Sequence, residues 1–268
     1  MNKDIYEKKF NEYLSLAENG IKEFFIPATE VEKAMEYTLS AGGKRVRPVV
    51  ALAVCDMLGG KVEDALPYAI SIELIHTYSL IHDDLPCMDN DDERRGKPAC
   101  HITYGEGLAL LAGDGLLTKA FEVAASGKYP KAVSIIADNA YKMVLGQGNE
   151  FVNLDGVVSV DNTLEIYAQK TSALLVAAAV CGGVAANASD EVLGKLNDFA
   201  LNLGLAFQVI DDLLDADDES SLFISAVGRE KAALYAAELS QKAYSAVSGF
   251  ENNEFINELI NRLLHRKG

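Results

Sequence analysis

Phe207-Gln208-Val209-Ile210-Asp211-Asp212-Leu213-Leu214-Asp215 carries polar side chains at 208, 211, 212 and 215. That i, i+3, i+4, i+7 spacing lays all four on one face of a helix. Upstream, Leu80-Ile81-His82-Asp83-Asp84-Leu85-Pro86-Cys87-Met88-Asp89-Asn90-Asp91-Asp92-Glu93-Arg94-Arg95-Gly96 repeats the theme, an apolar helix running into paired aspartates. Outward from these two stretches helical periodicity dominates, and β-branched alternation is nearly absent. The chain therefore reads as all-α. Helices are expected at about 2–20, 28–39, 46–58, 63–83, 104–126, 130–149, 161–186 with a break near 170, 190–216, 227–248 and 252–266. All six prolines lie at or before position 130, which leaves the second half free for long helices.

The 268 residues are enough to bury a sizeable core, and no Pro/Gly/Ser-rich linker divides them, so one domain over 1–268 is expected. A formal charge of −16 argues against a nucleic-acid backbone or an anionic membrane as partner. Four cysteines form no CxxC pair, and Met1-Asn2-Lys3-Asp4 lacks the layout of a signal peptide. Free thiols in the cytoplasm are the expectation. The uncharged run Ala173 to Ala186 is 14 residues, short of the roughly 20 that span a membrane. It reads as a buried helix, and no transmembrane segment is expected.

Asp83 to Glu93 and Asp211 to Glu219 hold 12 of the 40 acidic residues in 20 positions, where even spacing gives about three. Carboxylates about 4 Å apart repel by about 4 kcal/mol at an effective dielectric near 20. Flanked by Leu, Ile and Val, they need a counter-charge. Oxygen-only ligands suit magnesium, which takes one or two carboxylates and fills its shell with water and phosphate oxygens. One acidic run would read as a solvated helix end. Two, each entered from an apolar helix, read as a diphosphate clamp. Neither has the interleaved glycine and terminal Glu of a calcium loop.

Gly42-Gly43-Lys44-Arg45-Val46-Arg47-Pro48 places three cations just before a helix, where backbone N–H groups also favour an anion. It lacks the spacing of a Walker loop. Arg94-Arg95 sets two guanidinium forks beside the first acidic cluster. His76 lies two turns before Asp83 on the same side of its helix. Lys170-Thr171 opens an apolar helix, an unfavourable place for a cation unless an anion is near.

Taken together, these motifs resemble the short-chain trans-prenyl diphosphate synthases, in particular the bacterial farnesyl type. The likeness runs from about residue 40 to 215 and includes Leu111-Ala112-Gly113-Asp114 and Gly146-Gln147. It implies a helical bundle of the isoprenoid synthase type around a deep central cavity, usually a homodimer, using Mg²⁺. By position, Asp83, Asp89 and Asp211 would be the main metal ligands, supported by Asp84, Asp212 and Asp215. Lys44, Arg47, His76 and Arg95 would hold isopentenyl diphosphate. Arg94, Lys170, Thr171 and Gln208 would face the allylic diphosphate. The implied reaction condenses isopentenyl diphosphate with dimethylallyl or geranyl diphosphate.

In that family, bulky residues before the first aspartate motif stop chain growth. Tyr78 and Ser79 occupy those positions here, and the Pro86-Cys87 insertion resembles the farnesyl (C15) type. Ideal helix geometry sets Ser79, rather than Tyr78, directly under Asp83. Two departures stand out. Glu150 replaces the usual aspartate of Gly-Gln-x-x-Asp, and the Gly/Lys-rich loop expected after Asp215 is lacking before Ser220-Ser221-Leu222-Phe223. The alternatives are a geranyl or geranylgeranyl product, or a non-catalytic regulatory subunit of the same fold. A terpene cyclase fits less well, because it needs no second diphosphate site at Lys44, Arg47 and His76.

Overall fold

The computed structural model describes residues 1–24, 26–153, 159–214 and 222–265. α1 (Lys3–Phe24) and α2 (Glu30–Leu39) lead into α3 (Val46–Met57) and the central α4 (Val62–Asp83). α2 starts on a capping box: the Thr29 N–H donates to Glu32 at 2.8 Å, and the Thr29 hydroxyl accepts from the Glu32 N–H at 3.3 Å. α4 is buried along most of its length, between α3, α6 (Glu106–Ala125) and α9 (Ala173–Ala185). That burial explains its run of Ile, Leu, Ala and Tyr with only a weak polar face.

After α4 the chain makes a two-strand ribbon, β1 (Glu93–Arg94) against β2 (Lys97–Pro98), then the short α5 (Cys100–Tyr104). Arg95 and Gly96 turn the ribbon with φ of 57° and 75°, the double positive φ that a tight two-residue hairpin requires. α7 (Pro130–Asn153) follows α6. α8 (Val160–Tyr167) passes into a π-helical turn, Ala168–Ser172, and then α9. α10 (Asp190–Leu214), α11 (Leu222–Val227), α12 (Arg229–Val247) and α13 (Glu254–Leu264) complete the bundle.

Every residue of α9 is buried. The stretch Val160–Ala185 is long and apolar enough to cross a membrane, but 78% of the tested window lies inside the protein, as a core helix would. The break expected near 170 is the π-helical turn. Two short helices, α5 and α11, were not expected from the sequence. Gly105 and Gly228, at φ of 82° and 79°, separate each of them from the long helix that follows.

Candidate active site

α4, α7 and the π-helical turn enclose a cavity of about 450 Å³. Arg47, His76, Asp83, Gln147, Lys170 and Thr171 line its polar part. Tyr78, Leu80, Met88, Met143, Val144 and Phe151 line its apolar part. Such a division suits an amphiphile with a charged head and a hydrocarbon tail.

Arg47, in the first turn of α3, supplies the positive side. Its Nε is buried with no hydrogen-bond partner, and among the described residues it forms no ion pair. Burial lowers its pKa, Glu73 offsets part of that, and Arg95 adds to the lowering. Arg95 folds back from the ribbon to donate to the Gly42 carbonyl. Burial, with Arg47 and Arg95 next, holds the His76 imidazole well below its ordinary pKa, so it is neutral. Buried cations without carboxylates are costly alone and are satisfied by an anion. Arg45 takes no part in this site. It is fully buried, bonds Glu18 and Glu73 at 2.7 Å each, and donates to the Leu39 carbonyl. Lys44 is exposed and lies outside the cavity lining.

Asp83, the last residue of α4, faces the cavity. Burial pushes its carboxyl up to about 6 against the pull of Lys170, and Asp89 adds to the rise. The Asp89 N–H donates to the Asp83 carbonyl at 2.9 Å, which folds the acidic loop over the helix end. Asp84 points elsewhere. It is 1% exposed; Arg94 donates to its Oδ1 from Nε at 2.8 Å and from Nη2, and reaches Asp91 at 3.0 Å. Arg94 is thus tied to carboxylates, and the remaining Asp84 oxygen is buried without a partner.

On the opposite wall, the π-helical turn presents Lys170 and Thr171 side by side. α7 comes close enough for this only because position 146 is glycine: a Cβ there would stand 2.5 Å from the Lys170 backbone nitrogen. Lys170 pairs with Glu150, so the longer carboxylate at the departure from the family pattern has a partner. The Thr171 hydroxyl donates to Gln208 at 3.0 Å, and the Tyr167 hydroxyl donates to Asp212 at 2.6 Å. These bonds join the second acidic helix to the cavity wall. Asp211 shares the helix face of Gln208. Asp215 and the expected loop position lie outside the described residues.

Tyr78 and Ser79 both line the cavity with Asp83, although ideal geometry favoured Ser79 alone. Sequence reading missed Leu80, His82, Met88, Met143, Val144 and Phe151 as lining residues. They lie in or beside helices, and nothing local distinguishes them from core. Among the described residues, no three acidic, His or Cys side chains could hold an ion by themselves. Magnesium needs only one or two carboxylates when diphosphate completes its shell. Asp83, whose carboxyl faces the cavity, fits a cation shared with such a ligand, whereas Asp84 points away from it.

A helical bundle with a half-polar, half-apolar cavity at its centre is the isoprenoid synthase architecture. Residues 28–259 match the polyprenyl synthetase family, and the chain belongs to it. It is 41% identical to the large subunit 1 of a heterodimeric chloroplast geranylgeranyl pyrophosphate synthase from Arabidopsis thaliana, over 87% of this chain and 65% of that protein. It thus spans less than two-thirds of that relative's length. It is 34% identical to a farnesyl diphosphate synthase from Micrococcus luteus, over 95% of this chain and 96% of that protein. The crystal structure of a geranyltranstransferase from Thermotoga maritima superposes with a TM-score of 0.85 at 34% identity, covering 95% of this chain and 96% of that one.

Proposed function

We propose that the protein is a magnesium-dependent prenyltransferase that condenses isopentenyl diphosphate with dimethylallyl or geranyl diphosphate, ending at farnesyl diphosphate. The observation that carries this reading is the buried, unpartnered Nε of Arg47 beside neutral His76, in the same cavity as Asp83 and an apolar tail pocket. In the proposed roles, Arg47, His76 and Arg95 bind the isopentenyl diphosphate, joined by the exposed Lys44. Lys170, Thr171 and Gln208 orient the allylic diphosphate, and Arg94 is held ready by Asp84. Asp83, Asp89 and Asp211, supported by Asp84, Asp212 and Asp215, would hold magnesium, whose charge assists departure of pyrophosphate. Lys170 adds charge stabilisation as the allylic C–O bond ionises. The apolar wall excludes water while the isopentenyl double bond attacks the allylic carbon, and a proton then leaves for the released pyrophosphate.

Tyr78, buried in the wall, supports a C15 stop. A C20 product is the second reading, since the Arabidopsis relative is named for geranylgeranyl pyrophosphate. We also infer a homodimer through α6 and α7, where Leu110, Leu111, Tyr141, Val144 and Leu145 leave an exposed apolar strip. Unpaired cysteines fit a reducing compartment such as the cytoplasm. Incubation with Mg²⁺, isopentenyl diphosphate and geranyl diphosphate, with products read by mass spectrometry, tests the assignment. Farnesyl diphosphate is expected. Absence of any condensation product would favour a non-catalytic subunit instead.

A further inference from the structure

Tyr78 and His82 stand one turn apart on α4, and their rings meet edge to face with centroids 5.7 Å apart and planes at 79°. Both line the cavity. Among the described residues the Tyr78 hydroxyl makes no hydrogen bond, so ring contacts are what hold it. His82 is anchored where Tyr78 is not. Its Nε2 lies 3.0 Å from the Leu110 carbonyl of α6. A carbonyl only accepts, so Nε2 carries the proton and donates. Asp114 stands near the same nitrogen at 3.9 Å. The Nε2 edge of the ring reaches α6 because position 113 is glycine: a Cβ there would stand 2.0 Å from His82 Nε2. This gives the Leu111-Ala112-Gly113-Asp114 stretch a physical purpose that the diphosphate site does not use.

We propose that His82 is a positioning residue for product length: pinned to α6 by Leu110 and Gly113, it holds Tyr78 across the tail pocket and acts only through Tyr78. The proposal rests on the prenyltransferase reading. Tyr78 is also packed in the hydrophobic core, and its aromatic contact with His82 firms the stop only if that partner cannot move. Here that partner is fixed by a hydrogen bond and by a backbone surface bare of side chain. The stop is therefore assembled from two helices.

The test is a double-mutant cycle read by mass spectrometry of the products formed from isopentenyl diphosphate and geranyl diphosphate. Tyr78→Ala should lengthen the products. His82→Ala should raise the ratio of longer product to C15 by about five- to tenfold, the scale of one aromatic contact and one hydrogen bond. Adding His82→Ala to Tyr78→Ala should change nothing further. Gly113→Ala, which displaces the ring without removing it, should also alter the product distribution, and only where Tyr78 is present; it carries the test if His82→Ala fails to fold. A double variant whose products are longer than those of Tyr78→Ala would make His82 a stop in its own right and overturn the proposal. Unchanged products in His82→Ala, with Tyr78→Ala lengthened, would overturn this inference and leave the parent reading intact. Unchanged products in Tyr78→Ala would remove the stop itself, and a wild type with no prenyl product would end both readings.

Discussion

Two side chains carry charge that the fold does not balance internally, and each leads to a prediction. Asp83 titrates near 6, against about 3.9 in an unfolded chain. The fold thus favours its protonated form. That contribution to stability is fully present below about pH 3.9 and is lost as pH rises through about 6. At pH 7 the charge works against folding, so Asp83→Asn should stabilise the metal-free protein by about 1–2 kcal/mol after allowance for partial exposure. Thermal melts should show the gain at pH 7 and little of it at pH 4. The same variant should lose activity by about a thousandfold. Arg47→Gln should raise KM for isopentenyl diphosphate about tenfold or more, while the melting temperature of the ligand-free protein holds or rises. A large fall in stability would show instead that Arg47 is structural, as Arg45 is.

At the scale of the element, the π-helical turn decides what Lys170 and Thr171 can do. The π-helical turn through 168–172 carries one extra residue, and both side chains lie in the cavity wall. The turn is seated against α7 at Gly146 and against α10, where the Gly204 position would bring a Cβ within 2.4 Å of the Ser172 hydroxyl. Gly146→Ala should therefore cost about 1–3 kcal/mol by overpacking, despite the better helix propensity of alanine. Activity should fall with it, because Lys170 and its Glu150 partner shift together. Thermal melts and steady-state rates check both. A stabilised, fully active variant would mean that α7 gives way freely at this contact.

Across the whole molecule, the exposed apolar strip on α6 and α7 is the feature that a single chain leaves uncovered. Tyr141, Val144 and Leu145 fall at i, i+3 and i+4 on α7, with Val144 also on the cavity wall, and Leu110 and Leu111 are exposed on α6, which packs against α7. Tyr141→Asp combined with Leu145→Asp should convert a dimer to a monomer in size-exclusion chromatography with light scattering. A wild type that already runs as a monomer would remove that interface. Leu110 also carries the carbonyl that anchors His82, so the outer face of α6 and the tail pocket share one turn of helix.

Sequence periodicity alone settled the all-α class, the long helices and the two aspartate-bearing segments, because side-chain order along a helix is a local property. Residue chemistry together with the family resemblance singled out Arg47, His76, Asp83 and Lys170 as candidates. What it left open was which charges cancel. Arg45 and Arg47 are two residues apart in the same basic turn, yet one bonds Glu18 and Glu73 across the fold and the other, among the described residues, forms no ion pair. Asp83 and Asp84 are adjacent, yet one faces the cavity and the other binds Arg94. Gly113 and Gly146 belong to stretches that the resemblance singles out, but why glycine is needed there shows only when a neighbouring helix is brought against them. Those outcomes depend on contacts between residues far apart in the chain, so only the tertiary structure decides them.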